Sequence, residues 1–142
     1  MDLEAYRRAF FADPPPEPRF TFSGAFGTTL YFEAFDAAVA FYAAALGPPA
    51  YVEGDGTRGW PIGAGWLTLL RGADGNPRNV ELTLEVATAD EAERLQAAFV
   101  AAGGRGSPPA DRLMYRPVRT CPVADPFGTE LMIVGPARIG EP

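Results

Sequence analysis

The chain has 142 residues, enough for one domain with its own core, and 47% of them are hydrophobic. Its net charge is −6 and its 12 basic residues, all arginine, form no run, so a nucleic-acid-binding surface is not expected. Histidine is absent and Cys121 is the single cysteine, which excludes a Ser-His-Asp triad, a histidine base, His-ligated metals, thiolate zinc sites and an intrachain disulfide, and suits a reducing cytoplasm.

MDLEAYRRAFF predicts a short amphipathic helix, with Leu3, Tyr6, Ala9 and Phe10 on one face. Glu4, Arg7 and Arg8 interrupt any apolar run that a secretion signal would need. DPPPEP then stops the helix and makes a stiff extended connector. Residues 1–19 read as an arm on a domain spanning 20–142, either docked across it or reaching a partner subunit. TTLYFEA predicts a strand, with Leu30, Phe32 and Ala34 alternating against Thr29, Tyr31 and Glu33. FDAAVAFYAAALG predicts a helix ended by Gly47, with Val39, Tyr42 and Leu46, or Phe35 and Phe41, on its apolar side. PPAYVEGDG, RGWPIG and GWLTLLRG predict three strands, and GADGNP a turn.

The pattern then starts again. NVELTLEVA predicts a strand with Leu82, Leu84 and Val86 on one face and Glu81, Thr83 and Glu85 on the other. TADEAERLQAAFVAAGG predicts a helix capped by Thr88, with Glu91 completing a capping box and Gly103 as its end. A short strand near Arg105–Pro108, one from about Met114 to Val123, and a last from about Gly128 to Val134 follow. Between these last two, DPFG places Asp, Pro and Gly where a type I turn favours them, so Asp125 reads as a turn residue rather than a catalytic acid. The expected fold class is α+β. Two βαβββ modules, about 20–76 and 77–136, form a curved mixed sheet cup with helices on the outer face. No apolar stretch approaches the roughly 18 residues of a membrane span.

The signature YFEAFDAAVAFYAAALG and the closing DPFGTELMIV, in this order within a duplicated module, resemble the vicinal oxygen chelate superfamily. That superfamily includes glyoxalase I, bleomycin-resistance proteins, fosfomycin-resistance enzymes and extradiol dioxygenases. The resemblance covers about residues 20–136. It implies a divalent ion held in the cup by His or Glu side chains, but this chain departs from that pattern. The first ligand position falls on Gly27 or Thr29, the second on Glu81, and the last-strand glutamate position on Met132. Glu130 stands two residues early. No metal and no other cofactor are therefore expected.

By strand parity, Thr29, Tyr31, Trp66, Thr68, Glu81, Thr83, Glu130 and Met132 face the cup, a mix of aromatic surface and a few polar groups that suits a small-molecule site. Trp66 can stack on a flat or cationic ligand, or either tryptophan can simply fill the cup. Glu130 can equally point to solvent at the start of its strand. Three functions remain open. The resemblance to bleomycin-resistance proteins implies a homodimer that sequesters a hydrophobic or cationic compound without chemistry, here expected to be metal-independent for want of ligands and cytoplasmic from its cysteine usage. Alternatively, Glu81 and Glu130 form an acid–base pair in a lyase or isomerase, one carboxyl kept protonated by the other. In the third, the N-terminal arm acts as a protein-interaction module.

Overall fold

Hydrophobic alternation accounts for the first sheet. The computed structural model describes residues 2–20, 22–73 and 80–138. Strand β1 (Thr28–Phe32) leads into helix α2 (Phe35–Leu46), then β2 (Tyr51–Glu53), β3 (Thr57–Ile62) and β4 (Gly65–Arg71); helix α1 (Leu3–Phe10) precedes them. The strand order is β1-β4-β3-β2. β1 runs parallel to β4 because the α2 crossover returns the chain to the same end, while the short turns make β2, β3 and β4 antiparallel. Leu30, Phe32, Leu67 and Leu69 are buried on one face. On α2 the buried residues are Phe35, Ala38, Phe41 and Tyr42, a helical stripe. Val39 and Leu46, expected on that stripe, lie half-buried at its margin. Gly47 ends the helix at φ +92°, a conformation costly to any residue with a Cβ.

The second module repeats the plan. β5 (Glu81–Glu85) leads into α3 (Ala89–Ala101), β6 (Arg105–Gly106), β7 (Ala110–Met114), β8 (Arg116–Ala124) and β9 (Glu130–Pro136). The Thr88 hydroxyl accepts from the Glu91 amide at 3.0 Å and caps α3, but the Glu91 carboxylate pairs with Arg94, so the predicted capping box has only its first half. The order is β5-β9-β8-β6, and β7 also pairs with β8. The strand expected from about Met114 to Val123 is β8, shifted by one or two residues, but one strand was missed: β7 precedes it and forms a hairpin with it through Tyr115, held at φ +66°. β6 and β7 lie along the same edge of β8, split where Pro108-Pro109 interrupts the ladder, since proline has no N–H to donate. The predicted GADGNP turn falls largely on residues 74–79, outside the described residues.

The expected single curved sheet is two sheets. β1 and β5 are both edge strands, and neither pairs with the other. The halves join through side chains within one chain. Helices α2 and α3 pack together, with the Phe41 and Phe99 rings 5.8 Å apart and Tyr42 edge-on to Phe99 at 6.0 Å. Phe99 is fully buried, so Phe99→Ala would cost about 3–5 kcal/mol. Phe127, from the DPFG turn of the second module, packs edge-on against Phe32 and Phe41 of the first.

Asp125 locks this joint. Its Oδ1 accepts from the Phe127 and Thr129 amides, both at 2.8 Å, and its Oδ2 accepts from the Tyr42 hydroxyl at 2.8 Å. It is the turn residue that its position predicts, and also a buried link between modules. Burial, then the adjacent Asp125 charge, pushes the Tyr42 phenol far above its ordinary value, so it donates and stays neutral.

Helix α1 stands apart from this core. The Asp2 side chain caps it by accepting from the Glu4 amide at 3.0 Å, and none of its residues is buried. Tyr6 gathers Phe10 and Phe11 against its ring, and its hydroxyl accepts from the Tyr115 amide at 3.1 Å. The arm thus touches the tip of the β7–β8 hairpin.

Candidate functional site

The sheet faces turned away from the helices carry the polar and aromatic members of each alternating strand. Thr29, Tyr31, Glu81, Thr83 and Glu130 are exposed there, and Thr68 and Met132 are half-buried. Trp66 is 45% exposed, whereas Trp60 is buried in the core with its indole N–H donating to the Gly47 carbonyl at 2.8 Å. The two tryptophans therefore have different jobs, and Trp66 is the one that faces solvent.

Trp66 is also held in place. Its ring lies over Gly59 on the neighbouring strand: a Cβ built there would stand 3.2 Å from the ring, and 3.2 Å from the Tyr51 Cβ. Tyr51 meets the indole edge-on, with centroids 6.3 Å apart, and its hydroxyl donates to Glu53 at 2.7 Å. One flank of the indole is thus packed, and the rest is open to a ligand.

A cleft of about 270 Å³ opens beside it, lined by the start of β4 and by β5. Phe26, Thr28, Ile62, Trp66, Glu81 and Thr83 form its walls, and Leu67, Leu82 and Leu84 its apolar floor. Glu81 is the one charged residue among these, and it forms no ion pair among the described residues. A cation entering beside the indole would meet both its π face and this carboxylate.

Of the predicted site residues, the cleft gathers Trp66, Glu81 and Thr83. Thr29 pairs with Thr68, and Tyr31 with Leu70, farther along the first sheet. Glu130 is registered directly beside Glu81, and Met132 beside Thr83. Yet Glu130 opens into a separate hollow of about 200 Å³ with Arg105, Ser107, Pro122 and Val123. Sequence reasoning missed Phe26, Thr28 and Ile62. The available signal for Phe26 was glycine: a Cβ on Gly65 would stand 1.9 Å from the Phe26 carbonyl oxygen, so only glycine lets the segment before β1 pass there.

The donors do not suit a divalent ion. Among the described residues no three His, Cys, Asp or Glu side chains gather to hold one. At the positions where the resemblance places ligands stand Gly27 or the Thr29 hydroxyl, the Glu81 carboxylate and the Met132 thioether, and a hard divalent ion takes poorly to the last.

No sequence-family model matches the chain, and no curated relative does. Solved structures do. A glyoxalase/bleomycin resistance protein from Albidiferax ferrireducens superposes with a TM-score of 0.64 at 19% identity, covering 77% of this chain and 96% of that one. A glyoxalase-related enzyme from Fulvimarina pelagi gives 0.63 at 19% identity, covering 80% and 88%. A glyoxalase/bleomycin resistance protein/dioxygenase from Nocardioides gives 0.61 at 19% identity, and its match covers 98% of this chain and 95% of that one. The duplicated module, its strand order and these superpositions agree: the chain has the glyoxalase/bleomycin-resistance fold.

Proposed function

We propose that this protein is a metal-independent small-molecule-binding protein of the glyoxalase/bleomycin-resistance type. It sequesters a compact hydrophobic or cationic compound in the cleft beside Trp66. The observation that carries this reading is the cleft's makeup: an indole seated over Gly59, an apolar floor, and Glu81 as the single charge among its described lining residues. At about 270 Å³ the cleft is slightly smaller than an ordinary ligand pocket, so one or two fused rings fill it. Glu81 and Glu130 are exposed and open into separate hollows, which supports binding over paired acid–base chemistry. With Gly27 or Thr29 at the first position where the resemblance places a ligand and Met132 at the last, Glu81 is the one carboxylate left there, which supports metal independence.

The wider reading keeps residues 1–19 as an arm on the 20–142 domain, with the protein a cytoplasmic homodimer. No helix among the described residues is long and apolar enough to cross a membrane, and Cys121 is a buried free thiol. The exposed rings of Phe10, at the end of an eight-residue helix, and of Phe11, just after it, favour a docking role for the arm, since so short a helix is marginal alone.

The test uses two probes, the N-methylquinolinium cation and neutral quinoline. Binding to the folded state raises the melting temperature, by about 2.7 kcal/mol of stabilisation at a hundred times Kd. Trp66→Ala removes about 1–2 kcal/mol of ring contact and weakens the cation about ten-fold. Glu81→Gln weakens the cation and leaves quinoline unchanged. Equal binding by wild type and both variants would refute the site.

A further inference from the structure

We propose that the hollow holding Glu130 is a second binding site, and that its ligand is a compact zwitterion whose carboxylate meets Arg105 and whose ammonium meets Glu130. The site is separate from the Trp66 cleft and does not depend on the function read from it.

The hollow follows from side-chain length along one row of the second sheet. Arg105 on β6 is registered with Ala124 on β8, and Ala124 with Glu130 on β9. Partners in register share a face, so a guanidinium, a methyl group and a carboxylate stand in line across three strands. The Ser107 amide donates to the Pro122 carbonyl at 3.1 Å, which carries the next row past the end of β6. Along its middle strand the open face thus offers only Ala124 and Pro122. The long side chains on either side become walls, and about 200 Å³ is left between them. At about 30 Å³ per water that is room for roughly seven, so the ligand is small.

Both walls carry an unanswered charge. Arg105 and Glu130 are exposed, and neither forms an ion pair among the described residues. They do not pair with each other across the two strand spacings, about 4.8 Å each, that separate their backbones. On the far side of Glu130 stands Glu81, also in register, and like charges so placed repel until a cation comes to them. A purely cationic ligand would leave Arg105 unanswered, and an anionic one would leave Glu130. A short chain with one charge at each end answers both, its carboxylate accepting two parallel bonds from the guanidinium. The Arg105 wall is also fixed in advance. β6 has only two residues, but the Gln96 side-chain amide on α3 donates to the Ser107 carbonyl at 2.6 Å and to the Pro122 carbonyl at 2.8 Å, tying the end of β6 to β8. The ligand therefore meets a site whose backbone is already placed, which lowers the cost of binding.

NMR titration of the full chain with 4-aminobutyrate tests this, with butyrate and butylamine as probes that each keep one charge. We expect 4-aminobutyrate to bind with Kd near about 1 mM, and about five-fold tighter than either single-charge probe, the upper range for an exposed ion pair. Arg105→Gln lowers 4-aminobutyrate to the level of butylamine and leaves butylamine unchanged. Glu130→Gln lowers it to the level of butyrate and leaves butyrate unchanged. This crossed pattern assigns each end of the ligand to one residue, which diffuse surface charge would not give. Both side chains are exposed, so circular dichroism of these variants stays that of wild type. Ala124→Leu fills the hollow and abolishes 4-aminobutyrate binding, while N-methylquinolinium binding in the cleft stays as in wild type. Equal binding of the three probes, no binding of 4-aminobutyrate at about 50 mM, or binding unchanged in any of the three variants overturns the site. None of these outcomes touches the cleft, which its own probes decide.

Discussion

Replacing Asp125 by alanine removes one acceptor side chain and strands three donors: the Tyr42 hydroxyl and the Phe127 and Thr129 amides. Asp125 and Tyr42 are both buried, so water does not readily take its place. A hydrogen bond to a charged group contributes about 1.5–3 kcal/mol, and these three share one carboxylate, so they do not add in full. A loss of about 4 kcal/mol follows for Asp125→Ala. Asparagine is the control. Its Oδ1 keeps both amide bonds, and its amide nitrogen donates to the Tyr42 oxygen, reversing that bond's direction. Asp125→Asn therefore costs about 1 kcal/mol, and Tyr42→Phe, which orphans only Oδ2, about 2 kcal/mol. For a chain of this length each kcal/mol moves the melting temperature by about 3–4 °C, so alanine lowers it by about 12–16 °C and asparagine by about 3–4 °C. Urea unfolding followed by the fluorescence of buried Trp60 reads the same differences. If alanine and asparagine fall within about 1 kcal/mol of each other, the joint is not held by Asp125 as an acceptor, and packing at Phe127 and between α2 and α3 joins the modules.

Gly59→Val pushes the indole off its seat, which red-shifts Trp66 emission and weakens N-methylquinolinium several-fold; the strand preference of valine holds stability within about 1 kcal/mol of wild type. Glu93 accepts from Arg138 at 2.6 Å and from Arg119 at 3.0 Å, and these bonds, Arg138 first, hold its carboxyl below the ordinary range. A depressed carboxyl stabilises the fold above its unfolded pKa and loses that contribution as pH falls through the folded one. Glu93→Gln should therefore flatten the acid limb of a melting-temperature profile below about pH 4.5, and an unchanged limb would remove Glu93 from the account. Elemental analysis of the purified protein should find no stoichiometric zinc, iron or nickel; one ion per chain, lost on Glu81→Gln, would overturn the metal-independent reading.

Much of the fold was legible because burial has a period. Leu82 and Leu84 on β5 alternate with Glu81, Thr83 and Glu85, and such alternation carried both the strands and the parity that puts Trp66 and Glu81 on the open face. What escaped has no period. The β7–β8 hairpin turns on Tyr115, a residue that rarely takes a positive φ, in a stretch with no glycine to announce it. The division into two sheets depends on which edges pair across the chain, and nothing local to β1 or β5 records that. The cleft drew on Phe26 and Ile62, which lie just before β1 and at the end of β3, where alternation gives no guidance. Glu81 and Glu130 were correctly placed on one face, but parity says nothing of the relief that opens them into different hollows.

The unpaired edges of β1 and β5 make the protein two plates hinged on their helices rather than one continuous shell. Within each plate a ladder of hydrogen bonds fixes the spacing; across the gap side-chain packing and the single Tyr42–Asp125 bond set it, and packed layers about such a joint shift by small shear steps. The cleft straddles that gap, with Trp66 on one plate and Glu81 on the other. Its width is therefore a collective coordinate of the molecule, and a bound ring acts as a gauge block that selects one value of it. Affinity and relative plate position become linked quantities: a substitution at the α2–α3 contact that biases the slide should change ligand affinity without touching the ligand.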